Sequence, residues 1–359
     1  CGLAAQHTPH LQTFSIGYTD DDFFDETQYA HAVAKHFNTE HTVFSLSRND
    51  LYESLFSAID YFDEPFGDSS ALPVYVLSKL TRKHVKVALS GDGADELFGG
   101  YLKHTGEYRA RNAGLGELMI AAVNPFLRMF PKSRNSTMGN RLRQIEKFSE
   151  GMKLEKSDRY WKWCGIADEE EVQEILEEWN DEKEFLTRKK ELTKFIHADG
   201  GINDCFLNDV NLVLPYDMLT KVDSMSMANS LEVRTPFLDY RVVEFAFSIP
   251  ASYKINRHQR KMILHDAFKK FLPAELYHRP KKGFEIPLHS FLTTELKSVI
   301  ERELLAEDFI RAQNIFNYPA IAKLKQKLFS PNPDDSAARV WGLVIFQNWW
   351  KKWMNDPVS

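Results

Sequence analysis

The sequence is short of cysteine, of basic runs and of long apolar stretches, and each shortage removes a class of protein. Its three cysteines, Cys1, Cys164 and Cys205, are too few, too scattered and odd in number for a disulfide framework or a closed zinc site. A net charge of −6, with no block of about five or six Lys and Arg, leaves no electrostatic footprint for a nucleic-acid backbone. No stretch approaches about eighteen consecutive apolar residues, and the first residues lack the charged-then-apolar order of a signal peptide. Neither membrane nor export is expected, and the reading is cytoplasmic. G-x-G-x-x-G and G-x-x-x-x-G-K-[ST] are both missing, which removes the usual dinucleotide and P-loop fingerprints.

What is there is a chain of 359 residues, 43% hydrophobic and 13% aromatic, enough to bury a large core as one big domain or two closely joined ones. There is no internal repeat and no low-complexity linker. Cys1-Gly2-Leu3 has the look of an amino-terminal cysteine nucleophile, but Leu3, Ala4 and Ala5 read as the last turn of a helix, with Pro9 as its stop. Starting without Met, the sequence reads as a fragment that begins in mid-helix.

From Leu11 to Tyr101, strand and helix patterns alternate, which predicts a parallel sheet with helices on both faces. Gln12 to Ile16 is a strand. Asp25 can cap a helix whose stripe is Tyr29, Val33 and Phe37, and a second strand runs from Thr42 to Leu46. Ser47 and Asp50 form an S-x-x-D capping signal. A helix from Leu72 to Arg82 then leads to a strand from Val85 to Leu89. Beyond about residue 105 the strand pattern gives way to helical, charged segments. The chain divides accordingly into an α/β core, residues 1–104, and a mainly helical remainder, residues 105–359. In the last helix Val340, Trp341, Val344, Ile345 and Trp349 read as core packing.

The chemistry gathers in Ser90-Gly91-Asp92-Gly93-Ala94-Asp95-Glu96-Leu97-Phe98-Gly99-Gly100-Tyr101, directly after a strand. Gly91 and Gly93 permit a tight turn and close ligand approach. Asp92, Asp95 and Glu96 bring carboxylates to the ligand end of the sheet, where hard oxygens suit Mg²⁺ carried on a nucleotide. Acids in a first helical turn are equally explained by the helix dipole. An EF-hand is excluded by the spacing.

SGDGADELFGGY resembles the S-G-[ED]-G-x-D-E-x-F-G-G-Y signature of the asparagine synthetase family. LEVRTPFLD, Leu231 to Asp239, is similar to that family's S-L-E-x-R-x-P-F-L-D stretch. Arg260-Lys261-Met262-Ile263-Leu264 resembles its K-x-x-L segment, and Arg279-Pro280-Lys281-Lys282-Gly283-Phe284 a further loop. The motifs fall in family order from Phe14 to about Pro287.

The resemblance implies an adenine nucleotide alpha hydrolase-like fold of the ATP pyrophosphatase type. It implies a ligase that uses ATP to adenylate the side-chain carboxylate of aspartate, releasing pyrophosphate, for attack by ammonia derived from glutamine. ATP and Mg²⁺, an N-terminal glutaminase domain in the full-length parent and a homodimer belong to the same expectation. Ser90 and Gly91 would contact the nucleotide, and Ile16 would line the adenine pocket. Asp95 and Glu96 would hold Mg²⁺, Lys261 would neutralise charge on the phosphates, and Asp92 would position ammonia. Read without the family, Ile16 is sheet core and Lys261 a surface lysine.

Asp92 stands where many members have Glu, one methylene longer. A relative that adenylates another carboxylate, giving an amide or a lactam, therefore stays open, as does a nucleotide-binding domain without catalysis. The family's S-G-G-x-D-S phosphate loop does not occur here, so the fragment alone is expected to bind ATP poorly and to be inactive. Arg234 and Asp239 are expected to form a structural ion pair. Pro65, Asp68, Ser69 and Ser70 read as an active-site loop or, on capping alone, as a helix start.

Overall fold

The computed structural model describes residues 1–20, 24–122, 137–179, 181–277 and 283–354. A short helix α1, Gly2–Ala5, precedes strand β1, Gln12–Tyr18. Helix α2, Thr27–Phe37, returns the chain to strand β2, Glu40–Leu46. Asp25 does serve the start of α2, accepting from the Thr27 amide at 3.0 Å and the Thr27 hydroxyl at 2.9 Å. β1 and β2 lie parallel, with Gln12 opposite Glu40 and Tyr18 opposite Leu46.

Helix α3, Arg48–Ile59, opens on the capping box predicted for it: the Asp50 amide donates to Ser47 Oγ at 3.2 Å and the Ser47 amide to Asp50 Oδ2 at 2.8 Å. Helix α4, Ala71–Thr81, then leads to strand β3, Val87–Leu89. This strand begins later than its sequence pattern indicates, because the Val85 amide is still used by the end of α4, donating to the Thr81 carbonyl at 3.0 Å.

The parallel character is as predicted, but a single sheet is not what forms. Among the described residues the strands make two two-stranded parallel sheets, β1–β2 and β3–β4. β4 is Glu232–Arg234, inside the region where no strand was expected. Three residues with charged ends are too short to carry an alternation signal, and β4 exists because Val87, Ala88 and Leu89 pair with Glu232, Val233 and Arg234.

The main core joins both parts of the chain. Ile16 of β1, Leu46 of β2, Leu51 and Leu55 of α3 and Leu72 and Val76 of α4 pack in one cluster with the last helix, Ser336–Trp353. Val340 and Val344 of that helix are fully buried and Trp341 nearly so, as the stripe predicted. Cys205 is buried, Cys164 half-buried and Cys1 exposed, and all three are free thiols. No helix of the described residues is long and apolar enough to cross a membrane.

Ser47→Ala removes the side-chain acceptor for the Asp50 amide. It is expected to cost about 1 kcal/mol of stability, read as a lower urea midpoint at unchanged m-value.

Candidate active site

Connectivity decides which edge of the sheets can hold a ligand. α4 runs back to feed β3, and the helix Thr220–Met227 runs back to feed β4, so both helix starts lie level with the carboxyl ends of the strands. At that edge the Ser90 amide extends the ladder by one bond, donating to the Arg234 carbonyl at 2.9 Å. The chain then turns. Ser90 Oγ donates to Asp92 Oδ2 at 2.5 Å, and Gly91 has open space where a side chain would stand. Gly93 holds φ at +91°, and a Cβ there would meet Leu238 Cδ2 at 2.3 Å, so only glycine fits.

Helix α5, Ala94–Phe98, follows and presents two acids in opposite settings. The Asp95 side chain is 24% exposed, and its Oδ1 lies 3.0 Å from Nζ of Lys261, also 24% exposed. The two residues are thus brought together from distant parts of the chain. Lys261 stands at the N-cap of the helix Met262–Phe268 with φ 50°, a left-handed conformation that costs a non-glycine residue roughly 1–2 kcal/mol. Beneath the pair lies Gly100, whose amide donates to the Asp95 carbonyl at 2.8 Å. A Cβ on Gly100 would fall 1.8 Å from Asp95 Oδ1 and 2.2 Å from Lys261 Cε.

Glu96 is not displayed with Asp95. It is buried, its Oε1 accepts from the Tyr101 hydroxyl at 2.5 Å, and burial outweighs that hydrogen bond and holds the carboxyl above its ordinary value. The structure thus separates the two residues that the sequence reading grouped as metal ligands. Successive helix positions project about 100° apart, and here one looks outward and the other into the interior. Ile16, assigned to an adenine pocket, is 8% exposed and packed in the main core.

The ion pair expected between Arg234 and Asp239 does not form. Arg234 Nε donates to Glu232 Oε1 at 2.7 Å, its neighbour on the same face of β4. Asp239 caps the helix Tyr240–Ser248, accepting from the Arg241 amide at 3.0 Å, and pairs with the Arg241 guanidinium at 2.7 Å. The Lys281 and Lys282 motif lies outside the described residues.

The loop before α4 has a partner that the sequence reading missed. Asp68 accepts from the Ser70 amide at 2.9 Å, the Ser70 hydroxyl at 2.7 Å and Lys221 Nζ at 2.7 Å. Burial opposes ionisation of Asp68, but Lys221 beside it holds the carboxyl below its ordinary value. Burial, with Asp68 next to it, pushes Asp217 up to about 7. Asp217, in a π-helical turn, Leu214–Leu219, and Lys221, in the helix that follows it, stand four apart, and that spacing was the available signal. Behind α5, Asp209 is fully buried and bonded to Lys103 and His104 at 2.7 Å each. Burial would raise its pKa, but those two partners bring it to about 2.

A profile of the asparagine synthase family matches residues 1–351. The chain is 30% identical over 371 residues to asparagine synthetase [glutamine-hydrolyzing] 1 of Bacillus subtilis, covering 99% of this chain and 55% of that protein. It is 29% identical over 357 residues to a putative asparagine synthetase [glutamine-hydrolyzing] of Mycobacterium tuberculosis, covering 97% of this chain and 51% of that one. A shorter match to a putative asparagine synthetase of Methanocaldococcus jannaschii reaches 44% over 99 residues, 28% of this chain and 19% of that protein. The chain belongs to the asparagine synthase family. It spans about half the length of the curated relatives it matches.

Glu96 gives a test of the buried side of the site. Above its ordinary value of 4.5 the folded chain keeps a proton that the unfolded chain has released, so this group makes stability fall as pH rises. Glu96→Gln keeps an acceptor for Tyr101 and is expected to flatten that decline relative to the parent, measured by urea midpoints from about pH 4.5 upward.

Proposed function

We propose that this chain is the ATP-using synthetase portion of a glutamine-dependent asparagine synthetase. In this reading it adenylates the side-chain carboxylate of aspartate, releases pyrophosphate and lets ammonia attack the acyl-adenylate, giving asparagine and AMP. The observation that carries the reading is the Lys261–Asp95 couple at 3.0 Å, set beside a glycine turn at the ligand edge of a parallel strand. A carboxylate is a poor electrophile, and adenylation supplies the leaving group that amide formation needs. The nucleotide-hydrolase type of fold and the assignment of residues 1–104 as its core belong to this same proposal.

Lys261 would stabilise negative charge that builds on the phosphates as the aspartate oxygen attacks, a preorganised cation in place before the reaction. Ser90 and Gly91 would meet the nucleotide where the turn leaves open space. Asp92, fixed by the Ser90 hydroxyl, would orient ammonia and receive its proton. Ile16 would reach adenine only through the small part of its surface that the core leaves uncovered.

Among the described residues no group of three or more His, Cys, Asp and Glu could by itself hold a metal ion. One partly exposed carboxylate completed by phosphate oxygens is a donor set that suits Mg²⁺, so Asp95 fits the ion and buried Glu96 does not. Bound there, Mg²⁺ would supply charge neutralisation on the pyrophosphate. Glutamine as the nitrogen source is favoured by the names of the relatives, and the glutaminase domain, the homodimer and the cytoplasmic setting are carried as parts of the proposal.

The test is aspartate-dependent exchange of labelled pyrophosphate into ATP by the intact protein. Lys261→Ala and Asp95→Asn are each expected to lower exchange by about 10²-fold or more with the fold unchanged by circular dichroism. Wild-type exchange in either would remove its role. Exchange with another carboxylic acid in place of aspartate would reassign the acceptor, and none with any acid would leave a nucleotide-binding domain. Gly100→Ala is a separate check on geometry: it should lower exchange at least about tenfold, because its Cβ would occupy the space of both the Asp95 and Lys261 side chains.

A further inference from the structure

Three helices press on α5: Asn203–Asn211, Tyr240–Ser248 and Met262–Phe268. Lys254 sits where they meet. Its side chain is 0% exposed, and Nζ lies 5.4 Å from the ring centroid of Phe206 on the first helix and 5.0 Å from that of Phe247 on the second. Among the described residues this ammonium has no hydrogen-bond partner. Phe206 in turn reaches the turn that ends α5, for a Cβ on Gly99 would stand 2.8 Å from its ring. The backbone carbonyl of Lys254 accepts from the Met262 amide at 2.9 Å, at the first turn of the third helix, directly after Lys261.

Sequestering a charge in this way opposes folding. An ammonium without an anion beside it loses more hydration than two ring faces return. Burial lowers the Lys254 pKa to about 8. The titratable groups packed with these rings include His104, edge-on to Phe206 at 4.9 Å, buried Cys205 and Tyr160, and the partly buried Tyr108 and Cys164. A methionine would fill similar space with no charge to bury. Packing therefore does not call for lysine at this position.

We infer that Lys254 is a positioning residue: its ammonium draws together the two aromatic rings behind α5 while its carbonyl holds the start of the third helix, keeping Asp95 and Lys261 in register across Gly100. The activity arm of the test rests on the ligase reading, and the other two arms do not.

Lys254→Met in the intact protein separates the outcomes. The folded lysine releases its proton near pH 8 and the unfolded one near about 10.4, so in that window the unfolded chain holds more protons. The parent should gain stability from pH 8 to about 10 and the variant should not. By hydrogen exchange, protection of the Met262 amide should fall about tenfold in the variant while β1 amides are unchanged. In the exchange assay kcat should fall about tenfold with KM for ATP and aspartate within about twofold, and the change should add nothing further on top of Lys261→Ala. Unaltered Met262 protection, or a kcat loss fully additive with Lys261→Ala, overturns the inference. If the parent itself shows no exchange, the ligase reading fails and Met262 protection alone decides the role of Lys254.

Discussion

The structure turns on one ion pair, Lys261 with Asp95, and on the absence of a side chain beneath it. Two residues far apart in sequence meet only because Gly100 leaves the volume that they occupy, and because Lys261 accepts a left-handed backbone to face α5. Everything nearby serves that meeting. Gly93 lets the turn pass under Leu238, the buried Glu96–Tyr101 bond fixes the rotation of α5, and the Asp209 cluster braces it from behind. A cation and a carboxylate in contact at a partly exposed edge are worth little as a stabilising pair. In the proposed reaction their value lies in being preorganised for a ligand that carries phosphate and metal charge.

Two kinds of charge setting coexist around this edge. Asp95 and Lys261 remain partly in solvent, where a ligand can compete for either. Lys221, Asp68 and Ser70 form a tighter group, with Lys221 nearly buried. Such a group costs desolvation and returns rigidity rather than net stability. It ties the loop before α4 to the helix that feeds β4, so the two helices that lead into the β3–β4 sheet are linked at its ligand edge.

Much of this was legible in the sequence wherever the signal is local. β1, α2, β2 and the Ser47 capping box follow from periodicity and capping chemistry within a few residues. The glycine turn and its acids follow from the twelve-residue motif. What was not legible depends on distant partners. β4 is three residues long and exists only against β3. Glu96 and Asp95 look alike in sequence, and only the fold sends one inward. Arg234 and Asp239 share a motif, but each finds an opposite charge two residues away, and proximity along the chain prevails over the longer reach. Lys254 resembles any surface lysine until Phe206 and Phe247 close around it.

The pairing that displaced the expected one has its own outcome. Val87 and Leu89 stand 42% and 60% exposed on β3, and their register partners are Glu232 and Arg234, which bind each other on the same side of the ribbon. An apolar stripe on a two-stranded ribbon invites a neighbouring chain to add itself. The hydrated charges beside it act as a guard rail, requiring any intruding strand to strip water from both ions before it can reach the valine and leucine.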